Sequence, residues 1–180
     1  MLRFDNPVIA AVRNRTQLEQ AMRSDAETVF VLKSNLLEIG TIAENKQGKR
    51  VFIHADMCEG IGKDKYGFEY LKRKGIDGII STKVSCILAA KQVGLSTVHR
   101  FFLIDSASVQ TALESAAASR PDCAEVMPGV VAKEIARFRK DLDGVSLIAG
   151  GLIESKQDVI AALKAGSDAV STGKQELWYE

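Results

Sequence analysis

The chain has 180 residues, 46% hydrophobic and 26% charged, with only 3 Pro, a length that buries roughly 70% of the unfolded surface around one core. That balance excludes disordered, collagen-like and disulfide-dense chains. The 24 Lys and Arg against 23 Asp and Glu leave a net charge of +1, so there is no global basic field of the kind that by itself marks a nucleic-acid binder.

Apolar stretches such as Pro7 to Val12 fall far short of the roughly 20 residues of a membrane span, and no apolar leader follows the N-terminus. Residues 1–180 are therefore read as a single cytoplasmic domain with no membrane partner. Cys58, Cys86 and Cys123 are odd in number and form no CxxC pair. They are expected to be reduced, buried small residues.

In chain order, β-rich runs alternate with segments of helical spacing. The predicted strands are Val8 to Val12, Thr28 to Leu32, Val51 to Ala55, Gly78 to Ser81, Thr97 to Phe102, Ala124 to Met127, Ser146 to Ala149 and Ala169 to Ser171. The predicted helices are Thr16 to Arg23, Leu36 to Gln47, Lys63 to Lys74, Lys83 to Val93, Ser106 to Ser119, Val130 to Leu142 and Ser155 to Ala165, with a stub from Lys174 to Trp178. Ser155 stands where an N-cap oxygen is wanted, and Gly75 and Gly166 fall where a helix end needs positive φ.

Eight parallel strands can form an open doubly wound sheet or a closed barrel. No GxGxxG or P-loop spacing follows the first strand, which favours the barrel. At 180 residues against the usual 250 or so, it must be a small (β/α)8-type, TIM-like barrel, trimmed or incomplete on one side. A flank short of helical cover would favour a homodimer. Residues 71–83, LKRKGIDGIISTK, echo residues 163–174, LKAGSDAVSTGK, half a barrel away. Ancestral duplication and convergence on one good αβ loop explain so short a match equally.

Barrels collect functional groups at the carboxyl ends of their strands. Here those ends carry Arg13, Lys33, His54, Asp56, Glu59, Ser81 to Lys83, Arg100, Glu125, Gly150-Gly151 and Ser171-Thr172-Gly173. Strand alternation lets His54 and Asp56 share a face. Gly150-Gly151 after the seventh strand and Ser171-Thr172 after the eighth have the composition and position of a phosphate cup. Lys83 and Lys174 fall in first helical turns, where a cation opposes the macrodipole by about 0.3–1 kcal/mol, a conflict that a bound anion would relieve. Two His in the chain make a transition-metal site improbable, and no cofactor is implied. Asp56, Glu125, His54, Lys33 and Lys83 would also suit a phosphosugar isomerase, aldolase or epimerase.

Six motifs carry a resemblance when taken in order: residues 7–13 (PVIAAVR), 51–56 (VFIHAD) running into 59–64 (EGIGKD), 77–83 (DGIISTK), 100–106 (RFFLIDS), 125–129 (EVMPG) and 148–153 (IAGGLI). Together they resemble the glycerol-3-phosphate-responsive antiterminators of the glycerol uptake operon. The usual family pattern HIDLIEG stands here as residues 54–60, HADMCEG, with the polar positions kept. The resemblance implies a small βα barrel that binds glycerol 3-phosphate and then stabilises the leader mRNA of glycerol-catabolic genes, so that polymerase reads through a terminator. It implies a regulator and no enzyme.

On that likeness the phosphate falls to Gly150, Gly151, Ser171 and Thr172. From their strand ends, Asp56 and Glu125 are expected to accept from the glycerol hydroxyls, with Lys33 and Arg100 balancing charge. RNA contact rests on the resemblance alone, and the basic cluster Lys133, Arg137, Arg139 and Lys140 is the expected surface. To couple ligand to RNA, the segment Glu59 to Asp64 is expected to close over the ligand and present Lys63 and Lys65, with a shift of a dimer interface as the alternative.

Overall fold

The computed structural model describes residues 2–179. Eight parallel strands close into a barrel: β1 (Val8–Val12), β2 (Thr28–Val31), β3 (Arg50–His54), β4 (Gly78–Ser81), β5 (Ser96–Phe102), β6 (Cys123–Met127), β7 (Ser146–Gly150) and β8 (Ala169–Thr172). Each pairs with its neighbours in chain order, and β8 returns to β1 with Ile9 beside Ser171. The barrel is trimmed but closed. Its outer layer is α1 (Arg15–Arg23), α2 (Ile39–Glu44), α3 (Lys65–Arg73), α4 (Val84–Gln92), α5 (Ser106–Ser119), α6 (Ala132–Asp141) and α7 (Lys156–Lys164). A single 3₁₀ turn, Gln175–Tyr179, stands in for an eighth helix.

Strand alternation sorts the apolar residues into two cores. Ile9, Phe30, Phe52, Ile80, Val98, Cys123, Ile148 and Ala169, one from each strand, fill the barrel interior, with Phe30 and Phe52 edge to face at 5.5 Å. Gly78 is small because a Cβ there would overlap the Phe52 ring. Residues of the opposite parity, such as Val29, Val51, Ile79 and Val170, join the helices in the outer core. All three cysteines are buried and free, and burial, reinforced by Asp122 and Asp168, pushes the Cys123 thiol up to about 12.

The amino end of the barrel is tied together by a repeated device. Asp77, Asp122 and Asp168 each stand one residue before a strand. Each accepts from the second N–H of the strand before it: Val51 at 2.8 Å, Thr97 at 2.8 Å and Leu147 at 2.7 Å. Asp77 also pairs with Lys46 at 3.0 Å and Asp168 with Arg139 at 2.9 Å, so the two echoing segments share this use of their aspartate. Leu2 and Phe4 pack against the interior core from below. The Leu2 carbonyl accepts from Ser146 Oγ at 2.6 Å.

One predicted element differs. The helix expected from Leu36 to Gln47 is only Ile39–Glu44. Ser34 and Asn35 instead pair in parallel with Cys58 and Glu59, and Leu36 N–H donates to the Glu59 carbonyl at 2.9 Å, which keeps this stretch extended. Beyond the helix, Gln47 and Gly48 turn the chain at φ of 51° and 80°. A cleft of about 980 Å³ lies beside the shortened helix, lined from α1 and α2. Among the described residues, no helix is long and apolar enough to cross a membrane.

Candidate ligand site at the barrel mouth

Two residues beyond the apolar interior layer, strands β3, β5, β6, β7 and β8 turn polar or bare, at His54, Arg100, Glu125, Gly150 and Ser171. Arg100 and Glu125 are register partners, as are Gly150 and Ser171. Glu125 is fully buried and Arg100 is 7% exposed. Glu125 Oε2 accepts from Arg100 Nε at 2.6 Å, and Oε1 accepts from Ser171 Oγ at 2.5 Å. Gly150 has no room for a side chain, since its Cβ would lie 2.6 Å from both Glu125 Oε1 and Ser171 Oγ. The β6–α6 loop seats on the same strand end, with Gly129 N–H shared between the carbonyls of Gly150 and Gly151.

Two buried polar atoms of this layer have no protein partner among the described residues: Arg100 Nη2 and His54 Nδ1. A buried unpaired donor or acceptor costs free energy that only a ligand or water can recover. Burial first, and the Arg100 charge second, lower the His54 pKa against the opposing pull of Asp56 and Glu125. Asp56 is half-buried just past His54 in a 3₁₀ turn, Ala55–Met57. Its Oδ1 accepts from Ser81 Oγ at 2.7 Å, and its Oδ2 accepts from the N–H and hydroxyl of Thr82, both at 2.8 Å. Burial raises its pKa, but those hydrogen bonds outweigh burial and hold it below the ordinary value. Asp56 therefore fastens the end of β3 to the end of β4.

Not every residue expected at the site comes to the mouth. Lys33 is exposed and has the outward parity of Val31, so it lines the α1–α2 cleft with Arg13. Thr172 likewise faces outward. Its hydroxyl donates to the Ile153 carbonyl at 2.7 Å and accepts from Lys174 N–H at 3.0 Å, whereas Ser171 faces in. Gly151 turns the chain out of β7 at φ 74°.

Lys63, expected on a closing loop, is instead tied down, donating to the carbonyls of Ala55 and Cys58. On α6, Lys133, Arg137 and Lys140 are exposed. Arg139 turns under the helix to the carbonyls of Leu142 and Val145 and to Asp168. A role that the sequence did not suggest belongs to His99. Its Nδ1 lies 2.9 Å from Ser119 Oγ and its Nε2 lies 3.3 Å from the Thr82 carbonyl, linking α5 to the loop that holds Asp56. Its place between the inward residues Val98 and Arg100 is the signal that it faces the helices. No group of three metal-ligating side chains occurs among the described residues.

A closed parallel barrel whose interior is apolar through its middle and polar beneath its carboxyl-end loops belongs to the class of small TIM-like barrels. Residues 8–178 match the sequence profile of the family described as glycerol-3-phosphate responsive antiterminator, and the chain belongs to that family. It is similar to the glycerol uptake operon antiterminator regulatory protein of Listeria monocytogenes, with 30% identity, a TM-score of 0.90 and 98% of each chain covered. It is also similar to a glycerol uptake operon antiterminator-related protein of Thermotoga maritima, with 32% identity, a TM-score of 0.84 and 99% of each chain covered. Among curated proteins, the uncharacterized protein YgcP of Escherichia coli is 37% identical over 176 residues, covering 96% of this chain and 92% of YgcP. The family is a regulatory one.

Proposed function

We propose that this chain senses glycerol 3-phosphate at the barrel mouth and, when loaded, binds and stabilises the leader mRNA of glycerol-catabolic genes so that transcription passes a terminator. The observation that carries the ligand half is the pair of buried, unpartnered atoms, Arg100 Nη2 and His54 Nδ1, beside a glutamate whose two oxygens each hold one protein donor. Arg100 Nη2 meets the phosphoryl group, together with main-chain amides where β7 and β8 end at Gly151 and Gly173. The glycerol hydroxyls donate to remaining lone pairs of Glu125 and Asp56 and meet His54 Nδ1. Thr172 contributes through its backbone, because its hydroxyl is engaged, and Lys33 lies outside this pocket. The RNA half is supported by membership of an antiterminator family.

The test has two arms. Calorimetry with glycerol 3-phosphate should give one site per chain, lost in Arg100→Met, with glycerol alone binding far more weakly. A gel shift with leader RNA carrying the terminator stem should appear only with ligand. Absence of any ligand-dependent shift would remove the antiterminator reading. Turnover of a small phosphosugar by the wild type, abolished in Glu125→Gln, would replace it with an enzyme.

A further inference from the structure

Several lysines at the amino end of the barrel are occupied: Lys49 with the carbonyls of Ser24 and Ala26, Lys72 with Val93, Lys91 with Arg120, and Lys46 with Gly75 and Asp77, while Arg23, Lys140 and Lys164 there are exposed at helix C-termini, where the dipole favours a cation. At the carboxyl end Arg13, Lys33, Lys65, Lys83 and Lys174 are exposed, and their side chains have no hydrogen bond or ion pair among the described residues. Lys65 is the first residue of α3 and Lys83 the N-cap of α4, where the positive end of the helix dipole opposes a cation. The first turns of α1, α3, α4 and α5 contain no acidic residue; α3 and α5 have Asp64 and Asp105 as N-caps, whereas α1 and α4 start without a carboxylate. Helix stability alone would favour the opposite charge at these positions.

The same loops carry most of the large apolar side chains left in solvent. Leu37 is 89% exposed, Ile104 87% and Tyr66 82%, and Phe102 and Leu152 are also exposed. Single exposed apolar residues are ordinary, but these five come from the strand-to-helix junctions after β2, β3, β5 and β7, at the carboxyl ends of the strands. Following the barrel round from β8 through β1 to β5, successive strand ends offer Lys174, Arg13, Lys33, Lys65 with Tyr66, Lys83 and Phe102. A single-stranded polyanion with flat bases satisfies both features, its phosphates meeting the cations and its bases the two aromatic rings.

We propose that the leader RNA docks on this carboxyl-end face as a single strand crossing the ligand mouth, with Tyr66 and Phe102 as stacking platforms and Arg13, Lys33, Lys65 and Lys83 on its phosphates. The proposal rests on the antiterminator reading and moves the RNA surface from α6 to the mouth, where Lys33 has a role that the ligand pocket does not give it. RNA then forms the roof over glycerol 3-phosphate, and each partner strengthens the other's binding by contact, as reciprocity requires.

The experiment measures anisotropy of labelled leader RNA, with glycerol 3-phosphate present, for four proteins: wild type, Tyr66→Ala/Phe102→Ala, Lys65→Gln/Lys83→Gln, and Lys133→Gln/Arg137→Gln/Lys140→Gln. Thermal melts and ligand calorimetry without RNA check that each variant is folded and loaded. The aromatic pair should lose about tenfold or more in RNA affinity. The lysine pair should weaken binding and flatten its salt dependence by about 1.4 units of slope. The α6 variant should bind as wild type. Loss of binding in the α6 variant with the mouth variants unaffected would overturn the docking face and leave the antiterminator reading intact. Absence of RNA binding by the wild type would overturn both. A wild-type dimer in sedimentation that Tyr66→Ala/Phe102→Ala dissociates would make this face a self-interface and overturn the proposal.

Discussion

Arg100 and Glu125 face each other on adjacent strands, Nε to Oε2 at 2.6 Å, and both are buried. The pair uses one guanidinium nitrogen and leaves another, Nη2, unpartnered among the described residues. The arginine is thereby held in position by its glutamate with a donor to spare, which is the arrangement a site for an anionic metabolite requires.

Breaking this pair from either side should cost about 3–5 kcal/mol, because the surviving charge stays buried. Arg100→Met and Glu125→Gln measured by urea denaturation should each show the loss, and the double variant should lose much less than their sum. Strict additivity would mean that the two charges do not stabilise each other.

Gly150→Ala should damage the site without breaking the barrel. The added methyl would lie 2.6 Å from Glu125 Oε1 and from Ser171 Oγ, so the Ser171–Glu125 bond must give way. A stability cost of roughly 1–3 kcal/mol is expected, with a loss of ligand affinity by calorimetry larger than that of Thr172→Val, whose hydroxyl serves only protein atoms.

Stability should fall on mild acidification. Burial lowers the pKa of both His54 and His99 below 6.5, so between the folded and unfolded values the unfolded chain binds more protons. Both contributions are level above about pH 6.5 and decline as pH falls below it. Urea midpoints at pH 7.5 and 5.5 should differ less in His54→Gln/His99→Gln than in wild type.

At the far end, Asp168→Ala removes the acceptor for Leu147 N–H and the partner of Arg139. A loss of about 1–3 kcal/mol is expected, with glycerol 3-phosphate affinity unchanged. A parallel loss of affinity would show that the two ends are coupled.

The strand positions were legible because each strand is a short β-branched or apolar run walled in on both faces, and the observed strands start and stop within a residue or so of the runs. The length of α2 was not legible. Leu36 and Leu37 continue a helical stripe, but the pairing of Ser34 and Asn35 with Cys58 and Glu59 involves residues 24 apart, and no local pattern records it. At the mouth, the sequence yields the strand-end residues but ranks them by chemistry, whereas parity decides which way each points. Lys33 follows Val31 outward and Thr172 follows Val170, while Glu125 follows Cys123 and Ser171 follows Ala169 inward. Arg139 looked like one more surface cation because its carbonyl partners, Leu142 and Val145, carry no side-chain signal.

Lys63, fastened to the carbonyls of Ala55 and Cys58, has a kinetic consequence. We expect that the segment it anchors imposes no gating step on entry at the proposed site, so that stopped-flow binding rates rise linearly with glycerol 3-phosphate without a plateau. How quickly such a sensor forgets its signal is then set by the departure of the molecule and by whatever covers it.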